Sequence, residues 1–450
     1  MNVVRTLGGA VLGVSVLLAP RGVDFLSAQA QVGRPGEVTF TEVTFTKDVA
    51  PILQRSCQGC HRPESIAPMS LMTYEAARPW ARAIKRRTVA REMPPWHIEK
   101  NVGIQKFKDD ISLSDAEIAT ISAWVDGGAI KGNPADLPPT RKFEDVDQWR
   151  IGTPDLIIKV PQPWTVPTEG PDAWIDSRVP TGLTENRYIK ALQTRPGPGT
   201  LRVIHHVTST VTQQVDSTER LVGNDSDSEE QSLSEYAVGK NAEFMPEGTG
   251  ILLKPGSVIK FNVHYHSIGE EVVDTRAELG FVFYPKGVVP KYLQVRRGVG
   301  YPVHGNINGI DVPANEANVR LDGYTRLDKP TRIVAFQPHM HSRGRRMCME
   351  AILPNMQVET LSCIKYDFNW NLVYNYADDV APLLPAGTIL HVIGWHDNSA
   401  ANKLNPDPRN WVGWGSRTID DMSFAHVPMI SLEQADYDRL VAERKAKSTN

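Results

Sequence analysis

Two groups of residues in this 450-residue chain have the types and spacing for chemistry. The first is Cys57-Gln58-Gly59-Cys60-His61. This C-x-x-C-H pattern reads as covalent haem attachment. The two thiols become thioethers to the haem vinyl groups, and the adjacent imidazole binds iron from one face. A redox-active CxxC belongs in a βαβ setting, whereas the residues ahead of Cys57 read as a short helix. Candidates for the opposite axial position are Met69, Met72, Met93 and His97. Met69 and Met72 follow the motif too closely to pass easily round a porphyrin. Met93 precedes the stiff Pro94-Pro95-Trp96 segment and is the favoured ligand, with His97 its competitor. A thioether there raises the haem potential and suits electron transfer.

The second group is six of the twelve histidines, in three tight clusters: His205-His206, His264 with His266, and His339 with His341. On a strand, H-x-H places both imidazoles on one face, where they can grip one ion. Imidazole combined with a thioether and no thiolate points to copper more than zinc. Any one of these histidines alone reads more simply as a core or surface residue. Three clusters on β segments of one chain do not.

These residues must be positioned by two kinds of element. Residues 45–133 are compact and helix-prone. A helix leads into Cys57, and Ser114-Asp115-Ala116-Glu117 is a capping-box start for another that ends at Gly127-Gly128. Residues 134–155 read as a Pro-rich linker. From Asp155 onward short alternating segments with Gly/Pro turns predict strands, among them Val203–Val211 and Val258–Tyr265. The fold expected is mainly β: two jelly-roll-like sandwiches at 156–310 and 311–430, preceded by a small all-α domain. The acidic stretch Asn224–Glu230 reads as a loop. Ser431-Leu432-Glu433-Gln434 is a capping-box start for a terminal helix or tail at 431–450.

Arg5, an apolar run from Leu7 to Leu18 and Ala28-Gln29-Ala30 read as a cleaved signal peptide over residues 1–30. No transmembrane span is expected after its removal. The chain is then periplasmic or secreted, where disulfides and covalent haem can form. Lys plus Arg (49) nearly balances Asp plus Glu (52), which gives no electrostatic reason to expect a nucleic-acid partner. Hydrophobic residues at 41% and charged residues at 22% exclude a disordered or fibrous chain.

Residues 45–133, in the order helix, C-x-x-C-H, Met93, closing helix, resemble class I cytochrome c. Residues 156–428 resemble the copper type II, ascorbate-dependent monooxygenases, the family of dopamine β-monooxygenase and peptidylglycine α-hydroxylating monooxygenase. That family has an HH pair, a VHY segment, an H-x-H and a distant Met, in this order. Here they are His205-His206, Val263-His264-Tyr265, His339-Met340-His341 and Asp420-Asp421-Met422. Glu235 to Gly239 and Met245 to Gly248 also resemble the stretch before VHY. The resemblance implies two coppers across a cleft. His205, His206 and His264 would bind the electron-transfer ion, and His339, His341 and Met422 the ion that activates oxygen. It gives His264, not His266, as the ligand.

The activity implied is hydroxylation of a C–H bond of a small-molecule substrate with O2. The fused haem c would relay electrons from an external donor. A non-catalytic haem/copper electron carrier or copper-binding protein is the alternative. The chain departs from the family in several places. Outside the haem motif it has only Cys348 and Cys363, placed symmetrically about Asn355-Met356, which predicts a disulfide across a hairpin. Gln337 stands where the peptide hydroxylase has a carboxylate-gripping Arg, so a peptide C-terminus is not the expected substrate. His426 stands in place of a pocket Tyr. With Gln337 it is a candidate substrate-pocket residue, or else a core histidine.

Overall fold

The computed structural model describes residues 42–63, 65–143, 148–197, 199–214, 228–237, 242–301, 309–415 and 417–448. The expected signal peptide, most of the leader that follows it and residues 224–227 lie outside these.

The N-terminal unit is built on α1 (Ala50–Ser56), α2 (Ala81–Val89), β1 (Ile98–Gly103) and α3 (Asp115–Asp126). Phe45, Val49, Ile52 and Leu53 pack on Ile121 and Trp124 of α3 in one core. The expected capping box forms. Ser114 Oγ accepts the Glu117 N–H, Glu117 returns to the Ser114 N–H, and Gly127 caps the other end.

The first sandwich contains β2 (Leu156–Lys159), β3 (Ala173–Pro180), β4 (Arg187–Arg195), β5 (Ile204–Gln214), β6 (Ser228–Ala237), β7 (Thr249–Leu253), β8 (Val258–Tyr265) and β9 (Glu278–Phe283). A sheet in the order β3-β8-β5-β6 faces one in the order β7-β4-β9-β2. Val207, Val211, Ile259, Phe261 and Val263 from one sheet meet Ile189, Leu279 and Phe281 from the other. Alternation along β5 and β8 places the remaining residues on the opposite face, which carries the histidines. Ser228–Glu230, expected in the acidic loop, already belong to β6.

The second sandwich contains β10 (Tyr292–Val299), β11 (Val319–Arg326), β12 (Ala335–Met340), β13 (Gly344–Ile352), β14 (Val358–Lys365), β15 (Ile389–His396) and β16 (Ser423–Ser431), followed by α4 (Gln434–Ser448). Sheet β14-β13-β15-β11 covers β12-β16-β10, which continue through β7-β4-β9-β2 as one sheet, around Met347, Met349, Val392, Phe336 and Val427. Cys348 and Cys363 stand directly opposite on β13 and β14 and form the disulfide that the hairpin symmetry predicted.

Three expectations need correction. The N-terminal unit is not purely helical, because β1 pairs antiparallel with β14 as the edge strand of the second sandwich. Trp96 and Phe107, flanking β1, pack with Tyr374 and Tyr376 in that core. β10 falls before the expected boundary at 310, yet it pairs with β16 along Gln294–Val299 and touches β7 only at Tyr292 and Leu293. Finally, Ser431 ends β16, so α4 starts at Gln434 rather than after a Ser431 cap. Ser431 pairs with Thr331 instead, and this ladder outcompetes the local capping signal.

Candidate functional site

His206 on β5 lies directly opposite His264 on β8. Consecutive strand residues normally point to opposite faces. Here the register skips one residue between His264/His206 and Tyr265/Ile204, so His205 is the extra residue of a β-bulge. The bulge lets His205 and His206 turn to the same side. The candidate ligand atoms of His205, His206 and His264 all lie within 4.8 Å of one another, the spacing of a three-imidazole metal site.

The ring nitrogens are already partly assigned. His264 Nε2 lies 2.8 Å from Asp172 Oδ2, while its Nδ1 is buried without a hydrogen-bond partner among the described residues. Nδ1 is therefore the atom free to bind an ion, with the carboxylate fixing the tautomer from behind. Trp174 stacks on the same ring at 4.3 Å and holds its plane. Burial, then the neighbouring imidazoles, lowers His205 to about 4 and puts His206 well below the ordinary value. Burial also lowers His264, although Asp172 opposes it. The cluster is neutral at pH 7, as metal ligation requires. His266 is not among the converging ligands, although it lies near enough to disfavour charge on His205 and His264. β8 ends at Tyr265, so the alternation that would align His266 with His264 stops there, and the His266 N–H bonds Val203 O at 2.9 Å.

Across the cleft, His339 and His341 sit at the end of β12 with ring centroids 5.7 Å apart. His341 Nδ1 lies 3.1 Å from Asp420 O, leaving Nε2 for an ion. Burial, then His341, lowers His339 to about 3. Met422 arrives just ahead of β16, and Asp421 fixes its position. Asp421 Oδ1 accepts the N–H of His341 at 3.0 Å and of Met422 at 2.8 Å. One fully buried carboxylate thus ties the two chain segments together. Its Oδ2 sits 3.2 Å from Nδ1 of the fully buried His396, without hydrogen-bond alignment. Burial disfavours the charge on Asp421, but His396 and His341 outweigh it and hold the carboxyl below its usual range. Asp421 and His396 were given no role from sequence. The available signal was an acidic residue immediately before the candidate Met.

Both ligand sets line one cleft of about 540 Å³. His339 is among the groups that depress His206, so the two sets face each other. Trp174, Asn262, Asn371 and Arg417 complete parts of the wall.

Gln337 and His426, expected to line a substrate pocket, lie outside this lining. Gln337 is fully buried. Its amide accepts from Arg296, and it donates to Glu235 and, at 3.0 Å, to Asn371. That network joins β6 of the first sandwich to β10 and β12 of the second and uses the polar atoms Gln337 would need for a substrate. His426 packs behind His339, its ring 5.7 Å from His339 and 4.9 Å from Phe424.

At the C-x-x-C-H motif, Cys57 caps α1 and neither thiol is in a disulfide. Burial pushes Cys57 up to about 12 and raises Cys60 as well. A catalytic CxxC needs a depressed thiol instead. His61 Nδ1 lies 3.2 Å from Met69 O, so its Nε2 is the atom left for iron. These attachment residues fit a covalent haem. Met93 is not brought into the cavity that Cys60 lines. It lines a separate one of about 230 Å³ with Trp96 and Ile118. His97 is half-buried, with Nε2 buried and unpartnered among the described residues, and its backbone N–H approaches the Tyr374 hydroxyl at 3.3 Å.

The depressed imidazoles predict an acid-labile metal-free chain. Below about pH 6.5 the unfolded state takes up protons that the folded state refuses, so stability falls as pH drops toward 4. At pH 4.5, His205 and His339 each remove about 2–3 kcal/mol as an upper bound. Urea unfolding at pH 7 and 4.5 measures the difference, and His205→Gln with His339→Gln should flatten it. A pH-independent midpoint in the parent chain would contradict the neutral-imidazole assignment.

No family model and no curated protein matches the chain. Among the described residues, no helix is long and apolar enough to cross a membrane.

Proposed function

We propose that the chain is an exported, haem-coupled copper monooxygenase that hydroxylates a C–H bond of a small molecule with O2. The observation that carries the reading is the meeting of His205, His206, His264, His339, His341 and Met422 around one cleft. In this reading the N-terminal unit is a cytochrome c and the sandwiches are jelly-roll-like copper domains.

His205, His206 and His264 present neutral nitrogens to one ion, with Asp172 orienting His264. His339, His341 and Met422 would hold the second, whose thioether favours the cuprous state. Bound copper supplies one-electron redox chemistry and oxygen activation. Asp421 keeps the second ligand set assembled when no ion is present. The cleft between the two sets is where a substrate would lie, with Asn262, Asn371 and Arg417 as its polar contacts. Cys57, Cys60 and His61 would hold the haem, fed by an external donor.

Metal and haem analysis of the exported protein tests the assignment directly. About two copper ions per chain and a haem that resists acid–acetone extraction are expected. The second test mixes anaerobically reduced protein with oxygen and follows the Cu(II) EPR signal. Met422→Ala is expected to slow its return by more than about tenfold while sparing the haem spectrum. Zinc in place of copper, extractable haem, or unchanged reoxidation in Met422→Ala would sink the proposal.

A further inference from the structure

We propose that Tyr236 is the bridge by which an electron passes from a haem held at Cys57 and Cys60 to an ion held by His205, His206 and His264. This rests on the function proposed above and adds the route. A cavity of about 400 Å³ separates the C-x-x-C-H motif from the first sandwich. Gly59 and Cys60 form part of one wall, and Thr194, Arg195 and Tyr236 part of the other. Tyr236 packs against the first sandwich core. Burial, then the nearby Cys60 sulfur, holds its phenol above the usual range.

The strand register carries this wall of the cavity on to the histidines. Tyr236 on β6 stands directly opposite Val207 on β5, and the next residue, Ala237, stands opposite His206. Neighbouring strands are about 4.8 Å apart. The path is therefore the Cys60 side chain, the Tyr236 ring, one peptide unit, one crossing of the ladder and the His206 imidazole. Glu235, one residue earlier, points the other way, to Gln337 and Asn371 beneath the His339 strand. Three consecutive residues of β6 thus reach toward the haem motif (Tyr236), the His206 strand (Ala237) and the support of the His339 strand (Glu235). The step moves one electron. Ferrous haem becomes ferric, the cupric ion becomes cuprous, and no bond or proton needs to move.

The test uses the full chain loaded with haem and copper, under nitrogen and without substrate. The haem is reduced by a light pulse and its reoxidation is followed by absorbance in the parent, Tyr236→Phe and Tyr236→Leu. Tyr236→Leu is expected to slow copper-dependent reoxidation by more than about tenfold. Haem potential and copper content should not change. Tyr236→Phe, which keeps the ring, is expected to stay within about threefold. Tyr236→Leu at the parent rate, with both centres loaded, overturns the bridge alone. A parent whose haem shows no copper-dependent reoxidation overturns the proposed function along with it.

Discussion

Asp421→Ala is expected to cost the chain about 3–5 kcal/mol and to weaken copper binding at the His339–His341–Met422 set by about 10–100-fold. The carboxylate is fully buried, and both effects follow from what it holds. The His341 and Met422 N–H groups both end on its Oδ1. Without it, two donors lose their acceptor, His396 loses the carboxylate beside it, and the approach of residue 422 to the end of β12 loses its tie. Asp421→Asn keeps an acceptor for the two amides but removes the charge beside His396, so it should fall between parent and alanine. Urea unfolding of the metal-free protein and copper titration read the two effects separately. An alanine variant within about 1 kcal/mol of the parent would show that the segments are held by the sheet alone.

Glu235→Ala is the second large effect. Glu235 and Arg296 are almost fully buried, 3.7 Å apart, and tied together through Gln337, with Asn371 on the other carboxylate oxygen. Arg296 Nε and Nη1 have no hydrogen-bond partner among the described residues. Removing the carboxylate leaves a buried guanidinium without its counter-charge, at a cost of about 3–5 kcal/mol. Replacing both charges, in Glu235→Leu with Arg296→Met, should recover part of the loss, because no unpaired charge remains although the Gln337 and Asn371 amides lose partners. A double variant less stable than Glu235→Ala would mean that the network, not charge neutralisation, is what joins the sandwiches.

The convergence of the histidine clusters was legible in the sequence because three close pairs of one residue type on alternating segments stand out from what folding alone requires. The strands beneath them were legible from alternation, and β8 begins and ends where its pattern does. The bulge at His205 was not. An HH pair on an ideal strand splits between two faces, and only the partner strand shows that a residue has been inserted. Gln337 was assigned to the cleft by position in the motif, but position cannot reveal that Arg296 and Glu235, distant in sequence, use its amide. Ile98–Gly103, with Glu99, Lys100 and Asn101, carries almost no strand signal. It is extended because β14 offers an open ladder, a cause that lies about 260 residues away.

That same strand determines whether the molecule is modular. β1 occupies the edge of β14, and Trp96 and Phe107 beside it are embedded among Tyr374 and Tyr376. The N-terminal unit is therefore no tethered shuttle that swings between an external donor and the sandwiches. The electron exchange proposed between them should then be indifferent to solvent viscosity and to the length of the 134–155 segment. Nor can it be cut away cleanly. Excision would leave β14 with a row of unpaired backbone donors and acceptors beside an uncovered aromatic pocket, the kind of open edge on which chains add to one another.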